Sequence, residues 1–332
     1  MALTVVRGLL GRGNTDDTLE EERKTLAEAG AEVIAVPVAE RARVLELLPR
    51  ADGLLGFSTI DADMMGRLER CRGVVTVSHG FNHIDLDAAT AAGIPVANLF
   101  FCHREVANHT VMFLLAATRK LIMLHNLLKQ GQWRRDLQPP VAPLYGETIG
   151  LIGLGHIGRE VARRVRAMDM HVLAYDPVVS QEQAAASGAE LTDLDDLLRR
   201  SDYVSLHAPS NPSTFQILNE RTIGLMKPSA WVFNTARGDL VEERALYRAL
   251  AEKRIAGAGL DVFEVEPTPP DNPILQLDNV IVTPHAAGFS DAAVRDGQRQ
   301  GARVMAQILG GQFPTTICNP EVRGRTRYTF AD

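Results

Sequence analysis

An arginine, a glutamate and a histidine each stand beyond an apolar run that is typical of a buried strand: Arg237, Glu266 and His285. A histidine can move protons near neutral pH, because its unperturbed pKa is about 6.5. An arginine guanidinium presents a planar fork of donors that matches a carboxylate. A glutamate paired with a histidine favours the protonated ring. Together the three predict acid–base chemistry on a carboxylate substrate, whereas each residue alone is more typical of packing or of an ordinary surface charge.

A glycine-rich segment, TIGLIGLGHIGREVARRV, places Gly153, Gly155 and Gly158 between an apolar run and a helical one. In this GxGxxG context the first glycine permits a tight turn, the second lets the backbone approach a pyrophosphate, and the third lets the helix sit close to the sheet. Asp176 ends the next strand, where its carboxylate can accept hydrogen bonds from the adenosine ribose. No arginine follows in PVVSQ to offset a 2′-phosphate. The segment therefore predicts NAD rather than NADP, with a turn that binds nothing as the alternative.

Short β-rich runs alternate with helical runs on both sides of a long apolar helix expected at about 106–128. This alternation predicts an α/β fold with two doubly wound parallel sheets. Ligands of such sheets bind beyond the carboxyl ends of the strands. In the second half, the polar residues at those ends are His207, Asn234, Arg237, Asp261 and His285.

The composition excludes several classes of protein. Hydrophobic residues make up 45% and charged residues 23%, as in a globular protein with a full core. The net charge is −6 and the basic residues are scattered, which argues against binding to nucleic acid or an anionic membrane. Three separated cysteines, Cys71, Cys102 and Cys318, argue against a disulfide framework or a metal site. The first residues do not read as a signal peptide, so we expect a cytoplasmic protein.

Seven motifs occur in one order along nearly the whole chain: GETIGLIGLGHIG, YDP, SLHAP, FNTARGDLVEERAL, GLDVFEVEPTPPDNP, VIVTPHAAG and CNPEV. They resemble those of the D-isomer-specific 2-hydroxyacid dehydrogenases, whose relatives include phosphoglycerate dehydrogenases, glyoxylate/hydroxypyruvate reductases and the C-terminal binding protein corepressors. The resemblance implies a Rossmann NAD-binding domain at 100–289, inserted in a flavodoxin-like substrate-binding domain formed by 1–99 and 290–332. The pattern of elements alone would instead divide the chain once, near residue 100.

The resemblance also implies roles for individual residues. The family's catalytic arginine, glutamate and histidine fall on Arg237, Glu266 and His285, and the first and last of these are also expected to contact the substrate. Its substrate loop, whose backbone N–H groups hold a carboxylate, falls on Ser78, His79 and Gly80. The expected cofactor contacts are Thr110, Gly153, Gly155, His156, Ile157, Asp176, His207, Pro209, Thr235, Ala236 and Asp261. Two residues depart from the family pattern: Asn82 stands where an aspartate is usual, and Asn108 where a glutamate is usual.

The resulting expectation is an NAD-dependent oxidoreductase that interconverts a D-2-hydroxy acid and its 2-oxo acid by hydride transfer. Phosphoglycerate dehydrogenases tend to carry basic residues at the strand tip where this chain has Phe57, Ser58 and Thr59. A small unphosphorylated 2-oxo acid is therefore favoured. The alternative is an NADH-sensing dimeric binding protein that resembles the C-terminal binding protein corepressors, which keep the same three residues. A homodimer through the apolar helix 106–128 is expected.

Overall fold

A computed structural model describes the chain except residues 1, 12–14, 16–17, 58, 134–142 and 332. The chain forms two compact units. The first unit contains the chain up to Cys102 together with the chain from Ser290 onward, and the second unit is His103–Phe289. Ser58, one of the residues on which the substrate prediction rested, lies outside the described residues.

The first unit is built on a five-stranded parallel sheet with the order β2-β1-β3-β4-β5. This is a flavodoxin-like order. Apolar clusters lie in this unit around Val6 and Leu54 and around Val5 and Leu55, which occupy alternate positions on neighbouring strands. The strands are β1 (Leu3–Leu9), β2 (Ala31–Pro37), β3 (Gly53–Leu55), β4 (Val74–Val75) and β5 (Val96–Ala97). The helices are α1 (Glu20–Glu28), α2 (Arg41–Leu47), α3 (Ala62–Gly66), α4 (Leu86–Ala91) and, at the far end of the chain, α12 (Asp291–Leu309).

Helix α12 returns the end of the chain to the first unit. Its N-terminus is capped by Ser290, whose hydroxyl accepts the Ala293 N–H at 3.0 Å. Gly297 allows close packing, because a Cβ there would lie 3.0 Å from the ring of Phe101. Beyond the helix, the Cys318 N–H donates to the Val96 carbonyl at 2.8 Å and so adds a contact along the edge of β5.

The second unit is built on a seven-stranded parallel sheet with the order β12-β11-β10-β9-β6-β7-β8. The strand order reverses between β6 and β9, which is the topological switch point of a Rossmann-type sheet. The prediction of two doubly wound parallel sheets is thus confirmed. The strands are β6 (Thr148–Ile152), β7 (His171–Tyr175), β8 (Glu190–Leu191), β9 (Tyr203–Leu206), β10 (Trp231–Asn234), β11 (Gly257–Leu260) and β12 (Val280–Val282). The helices are α5 (His103–Thr118), α6 (Leu121–Lys129), α7 (His156–Arg166), α8 (Gln181–Ala186), α9 (Leu194–Arg200), α10 (Glu220–Ile223) and α11 (Glu243–Ala251).

The predicted single helix at 106–128 was wrong, because two helices, α5 and α6, occupy this segment and are bent by 61° relative to each other. Thr118 at the end of α5 bonds back to the Leu114 carbonyl at 2.8 Å, a contact that often bends helices. Lys120 then adopts a left-handed conformation with a φ of 53°. The ammonium group of Lys120 lies 5.3 Å from the ring centre of Trp231, which is a cation–π contact. The periodic apolar pattern of the segment does not predict this contact.

Within the described part of the chain, no single helix is both long enough and apolar enough to cross a membrane. Helices α5 and α6 satisfy that criterion only when they are taken together as a bent pair.

Candidate active site

The glycine loop follows β6 at the switch point of the second unit. Gly153 has a φ of 98°, and a Cβ there would lie 2.7 Å from the Ala208 nitrogen, so only glycine fits this turn. A Cβ on Gly158 would lie 2.3 Å from the Gly153 carbonyl oxygen. By contrast, a Cβ on Gly155 would meet no heavy atom within 4 Å. The loop is therefore tight at its two ends and open in the middle, as a pyrophosphate requires.

The helix after this loop offers its N-terminus to the same open space. Gly155 is the N-cap of α7 and provides no side chain to bond the first N–H groups. His156, the first helical residue, is exposed, whereas Ile157 is half-buried and packs against the apolar core. Free N–H groups at a helix start favour an anion. The residues present thus fit the phosphates of a dinucleotide.

Asp176 lies at the end of β7 beside the glycine loop. One carboxylate oxygen accepts the Leu154 N–H at 2.8 Å, and the other accepts the Val178 N–H at 2.9 Å. The carboxylate therefore braces the loop as well as lying where the sequence predicted a ribose contact. A carboxylate has about four acceptor positions, so these bonds leave it able to accept further ones.

Two of the predicted cofactor residues follow β9. Burial lowers the pKa of His207 to about 3, so its ring is neutral across the physiological range. Its Nε2 lies 3.0 Å from the Ser205 hydroxyl. Pro209 is exposed, and its carbonyl accepts the Thr214 hydroxyl at 2.6 Å. His207 thus supports the glycine loop by packing, since the Gly153 turn lies against its backbone.

Two other predicted residues, Thr110 on α5 and Thr235 after β10, are brought together by the fold. Their hydroxyl oxygens lie 3.0 Å apart, and Thr110 also donates to the Val106 carbonyl at 3.1 Å. Both side chains are buried, and Ala236 next to them is half-buried. The contact fixes the start of the turn that leads to Arg237.

Arg237 is presented by a turn that Asn234 braces from within. The Asn234 amide donates to the Arg237 carbonyl at 2.8 Å, and its oxygen accepts the Ala236 N–H at 3.0 Å. Gly238 follows, and a Cβ there would lie 1.9 Å from the carbonyl oxygen of Phe263. The backbone of the arginine turn therefore touches the loop that carries Glu266.

The Glu266 loop is anchored to the N-terminus of α11. The Glu264 carboxylate accepts the Glu243 N–H at 3.0 Å, and the Glu243 carboxylate accepts the Glu264 N–H at 3.1 Å. Glu266 itself accepts the Phe263 N–H at 3.1 Å. These bonds hold the carboxylate in one place although it lies in a loop.

The structure brings Glu266 and His285 into direct contact. Nδ1 of His285 lies 2.6 Å from Oε2 of Glu266, and their side chains are 50% and 35% exposed, respectively. A carboxylate accepts hydrogen bonds, so Nδ1 carries the proton of this contact. The pair is thus accessible to a ligand while its geometry is fixed.

The charge of Glu266 is stabilised by its neighbours. Partial burial acts to raise the pKa of this carboxyl, whereas the hydrogen bond and the charge of His285 act to lower it. The Phe263 N–H and the charge of Arg237 also lower it, and these effects together outweigh burial, so the pKa of Glu266 is held below its ordinary value. Arg237, Glu266 and His285 therefore form one electrostatic cluster at the carboxyl ends of β10 to β12.

Asp261 follows β11 and is buried, with 1% of its surface exposed. Its carboxylate accepts the Ala286 N–H at 2.8 Å and the Ala287 N–H at 2.9 Å. It also accepts the hydroxyl of Thr283 at 2.5 Å. The predicted cofactor residue is thus bonded to the segment that contains His285.

Sequence reasoning missed two residues that contact Asp261 directly or through one neighbour, Thr283 and His109. His109 on α5 places Nε2 at 2.9 Å from the Thr283 hydroxyl, and Thr283 bonds Asp261. Thr283, just before Pro284 at a strand end, could have been singled out from the sequence, whereas its partner His109 is too distant along the chain to be predicted.

Asn108, one of the departures from the family pattern, accepts a hydrogen bond from Arg164 on α7 at 2.8 Å.

The predicted substrate loop belongs to the first unit. The Ser78 carbonyl accepts the Leu99 N–H at 3.1 Å, and the His79 carbonyl accepts the Asn98 amide at 2.7 Å. The Gly80 carbonyl accepts the Ser78 hydroxyl at 2.6 Å. These three bonds hold the loop in one conformation within the first unit.

The second unit matches a known family. Residues 111–287 match the model of the NAD-binding domain of D-isomer specific 2-hydroxyacid dehydrogenases. The chain is 37% identical over 309 residues to the D-3-phosphoglycerate dehydrogenase of Methanocaldococcus jannaschii, a match that covers 92% of this chain and 58% of the relative. It is 38% identical over 289 residues to the glyoxylate reductase of Thermofilum pendens, with 85% of each chain covered.

A solved structure of a similar dehydrogenase matches this chain over nearly its whole length. The D-lactate dehydrogenase of Aquifex aeolicus, determined with NAD and lactic acid, superposes with a TM-score of 0.82 and 29% identity. The match covers 97% of this chain and 98% of that chain. This chain thus spans little more than half of the phosphoglycerate dehydrogenase but nearly all of the lactate dehydrogenase.

Proposed function

Because this chain belongs to the D-isomer specific 2-hydroxyacid dehydrogenases, a family of NAD-dependent enzymes, we propose that Arg237, Glu266 and His285 catalyse the interconversion of a D-2-hydroxy acid and its 2-oxo acid. The observation that carries this proposal is the contact of 2.6 Å between His285 and Glu266, within the electrostatic reach of Arg237. A paired imidazole, carboxylate and guanidinium provide the proton donor, its partner and the anion-binding group that the reaction needs.

Arg237 binds the carboxylate of the substrate in this proposal. Its guanidinium can donate two parallel hydrogen bonds to a carboxylate, and its positive charge polarises the neighbouring carbonyl. The hydrogen bond from the Asn234 amide and the close contact between Gly238 and Phe263 fix the turn that carries Arg237. Orientation of this kind accounts for a large part of the rate in two-substrate reactions.

His285 gives a proton to the carbonyl oxygen during reduction and takes it back during oxidation. Its Nδ1 is bonded to Glu266, so Nε2 is the nitrogen that exchanges the proton with the substrate. The Glu266 carboxylate favours the protonated ring and fixes its orientation. Acid–base help of this kind contributes roughly 10²–10⁴-fold.

The glycine loop, the α7 N-terminus and Asp176 are proposed to hold the dinucleotide. Bound NADH supplies the hydride that reduces the 2-carbon. Asp176 accepts hydrogen bonds from the ribose hydroxyls and repels a 2′-phosphate. His156, Ile157, His207, Pro209, Thr235, Ala236, Thr110 and Asp261 are proposed as further contacts.

Two further parts of the proposal concern the first unit. The N–H groups of Ser78, His79 and Gly80 are proposed to bind a carboxylate, because the loop resembles the substrate loop of the family and its carbonyl bonds hold it in place. The first unit is accordingly proposed as the substrate-binding domain and the second as the NAD-binding domain.

We propose a small unphosphorylated 2-oxo acid as the substrate. Phe57 is buried, with 4% of its surface exposed, and Thr59 is uncharged. Arg7 reaches the Gly56 carbonyl, but its guanidinium is fully buried and paired with Glu22 at 3.0 Å. This strand tip therefore offers little free positive charge to a phosphate.

The NADH-sensing alternative is not favoured. The relatives and neighbours named above are dehydrogenases or reductases. An enzyme and a sensor differ in turnover, so the choice is open to direct measurement.

A homodimer is proposed through α6 rather than through one long helix. No residue of α6 is buried, and it exposes Leu121, Ile122, Met123 and Leu128. An apolar surface of this kind on one helix is typical of an interface.

A cytoplasmic location is also proposed, because the three cysteines are free, as is usual in a reducing compartment.

The test is NADH consumption with glyoxylate, hydroxypyruvate, pyruvate, longer 2-oxo acids and 3-phosphohydroxypyruvate. Turnover of an unphosphorylated acid above the phosphorylated one is expected. Preference for 3-phosphohydroxypyruvate would overturn the substrate proposal alone. Tight NADH binding without any turnover would overturn the enzymatic role and favour the sensor.

A further inference from the structure

Helix α5 reaches the carboxyl ends of two strands through consecutive side chains. Thr110 bonds Thr235 after β10, and His109 bonds Thr283 after β12. His109 is also fixed by Phe113 one turn later, whose ring meets it edge-on with the ring centres 4.8 Å apart. The helix thus contacts both the segment that leads to Arg237 and the segment that leads to His285.

The direction of the hydrogen bonds between α5 and β12 follows from what each group can donate. A carboxylate only accepts, so Thr283 gives its single hydroxyl proton to Asp261 over 2.5 Å. The Thr283 oxygen can then only accept from His109 over 2.9 Å, and His109 must carry its proton on Nε2. Burial lowers the pKa of His109 despite the opposing charge of Asp261, which favours the neutral ring in this contact.

Asp261 accepts three hydrogen bonds from the backbone at and after His285. The His285 N–H donates to the Asp261 carbonyl at 2.8 Å, and the next two N–H groups, of Ala286 and Ala287, donate to its carboxylate. His285 has a φ of 51°, in the left-handed region that side chains with a Cβ rarely adopt. Such a conformation persists only where surrounding bonds determine it. The bonds to Asp261 are the contacts that do so here.

We propose that His109 and Thr283 are positioning residues for the reaction: through Asp261 they form a relay that fixes the left-handed backbone and hence the ring direction of His285. The relay starts on α5 and ends at the backbone N–H groups of His285, Ala286 and Ala287, and of its members only Asp261 is also proposed to contact the cofactor. The proposal rests on the catalytic role proposed for His285.

A first test compares Thr283→Val with Thr283→Ser. Valine keeps the shape of threonine and removes the hydroxyl, whereas serine keeps the hydroxyl. Thr283→Val should lower kcat roughly tenfold, because small misplacements of a reacting group are costly. The KM for the 2-oxo acid should stay within about twofold, since the groups proposed to bind it are unchanged. Thr283→Ser should restore most of the lost kcat.

A second test compares His109→Leu with His109→Gln. The glutamine amide can donate from nearly the position of Nε2, whereas leucine cannot. The leucine variant should therefore lose kcat as Thr283→Val does, and the glutamine variant should recover it. The double variant His109→Leu/Thr283→Val should be no worse than either single one, because both remove the same relay.

Hydrogen exchange of the peptide that spans 283–289 gives a readout that needs no turnover. Exchange of the Ala286 and Ala287 amides should be faster in Thr283→Val than in the wild type or in Thr283→Ser. Equal exchange and equal kcat in all three proteins would overturn the proposal. If the wild-type protein reduces none of the tested acids, the proposed function fails, and the exchange rates alone decide whether the relay holds this segment.

Discussion

Nδ1 of His285 lies 2.6 Å from Oε2 of Glu266, and the backbone N–H of the same histidine donates to Asp261 at 2.8 Å. The ring is thus held by one loop and its backbone by another. This double attachment determines which ring nitrogen can serve the substrate. Glu266 thus bonds the ring directly, whereas Asp261 holds the backbone from which the ring extends.

Glu266→Gln should move the loss of reductase activity to lower pH, because the anion that bonds Nδ1 of His285 at 2.6 Å is removed. The carboxylate favours the protonated ring, and reduction needs that protonated ring, so its removal shortens the active range from the alkaline side. The pKa of Glu266 is held below its ordinary value, so the carboxylate stays charged, and the pair intact, throughout the range where this limb is measured. On the acid side, the carboxylate is lost only when the pH falls through that depressed pKa.

The measurement is kcat/KM for NADH-dependent reduction between pH 5 and pH 10. Glu264→Gln is the matched control, because Glu264 lies two residues away and bonds the start of α11. Its alkaline limb should coincide with that of the wild type. Superimposable profiles for Glu266→Gln and the wild type would refute the proposed role of the pair.

Asp176→Ala should weaken NADH binding about tenfold, as expected for the loss of a charged hydrogen-bonding group. It should also narrow the preference over NADPH, because the repelling charge is gone. Since Asp176 accepts the Leu154 N–H, part of the loss reflects the loop itself. Asp176→Asn keeps an acceptor for that N–H and removes the charge, so it isolates the electrostatic part.

Fluorescence titration with both cofactors measures these constants. The asparagine variant should gain NADPH affinity while losing less NADH affinity than the alanine variant. A wild-type protein that already binds NADPH more tightly than NADH would show that Asp176 does not select the cofactor.

Gly238→Ala should lower both stability and activity. The added Cβ would lie 1.9 Å from the Phe263 carbonyl oxygen, which is backbone and cannot turn aside. Overpacking of this kind costs roughly 1–3 kcal/mol, and the shift would separate the Arg237 turn from the Glu266 loop. Gly66→Ala is the control, since a Cβ there meets no heavy atom within 4 Å.

Thermal unfolding and kcat/KM check this expectation. The midpoint for Gly66→Ala should equal or exceed that of the wild type. A Gly238→Ala protein as stable and active as the wild type would show that the close approach does not matter.

Leu128→Glu should dissociate the proposed homodimer, because it places a charge in the apolar surface of α6. Leu128 is 56% exposed, and Phe215, at 57%, offers a matched control outside α6. Phe215→Glu should leave the sedimentation coefficient unchanged. A wild-type protein that sediments as a monomer at micromolar concentration would contradict the dimer itself.

The sequence was sufficient where the signal is local. The glycine loop could be recognised because its three spaced glycines lie in one strand–turn–helix unit, within which Gly158 packs against the Gly153 carbonyl. Both sheets could be expected because each strand is a short apolar run between helical segments. The strand-end histidine could be singled out because Pro284 ends its strand.

The sequence was insufficient where distant groups decide. The break at Lys120 depends on Thr118 and on Trp231, which lies more than a hundred positions away. The bond between His109 and Thr283 joins the first helix of the second unit to its last strand. Neither contact can be predicted from the apolar pattern of α5 and α6.

The most direct test of the central claim is the turnover of His285→Gln. Glutamine can accept and donate hydrogen bonds but cannot exchange a proton near neutral pH. With a 2-oxo acid that the wild-type protein reduces, the variant should lose roughly 10²–10⁴-fold in kcat while its Kd for NADH stays within about twofold. A variant that retains wild-type kcat would show that His285 is not the proton donor and would contradict the account.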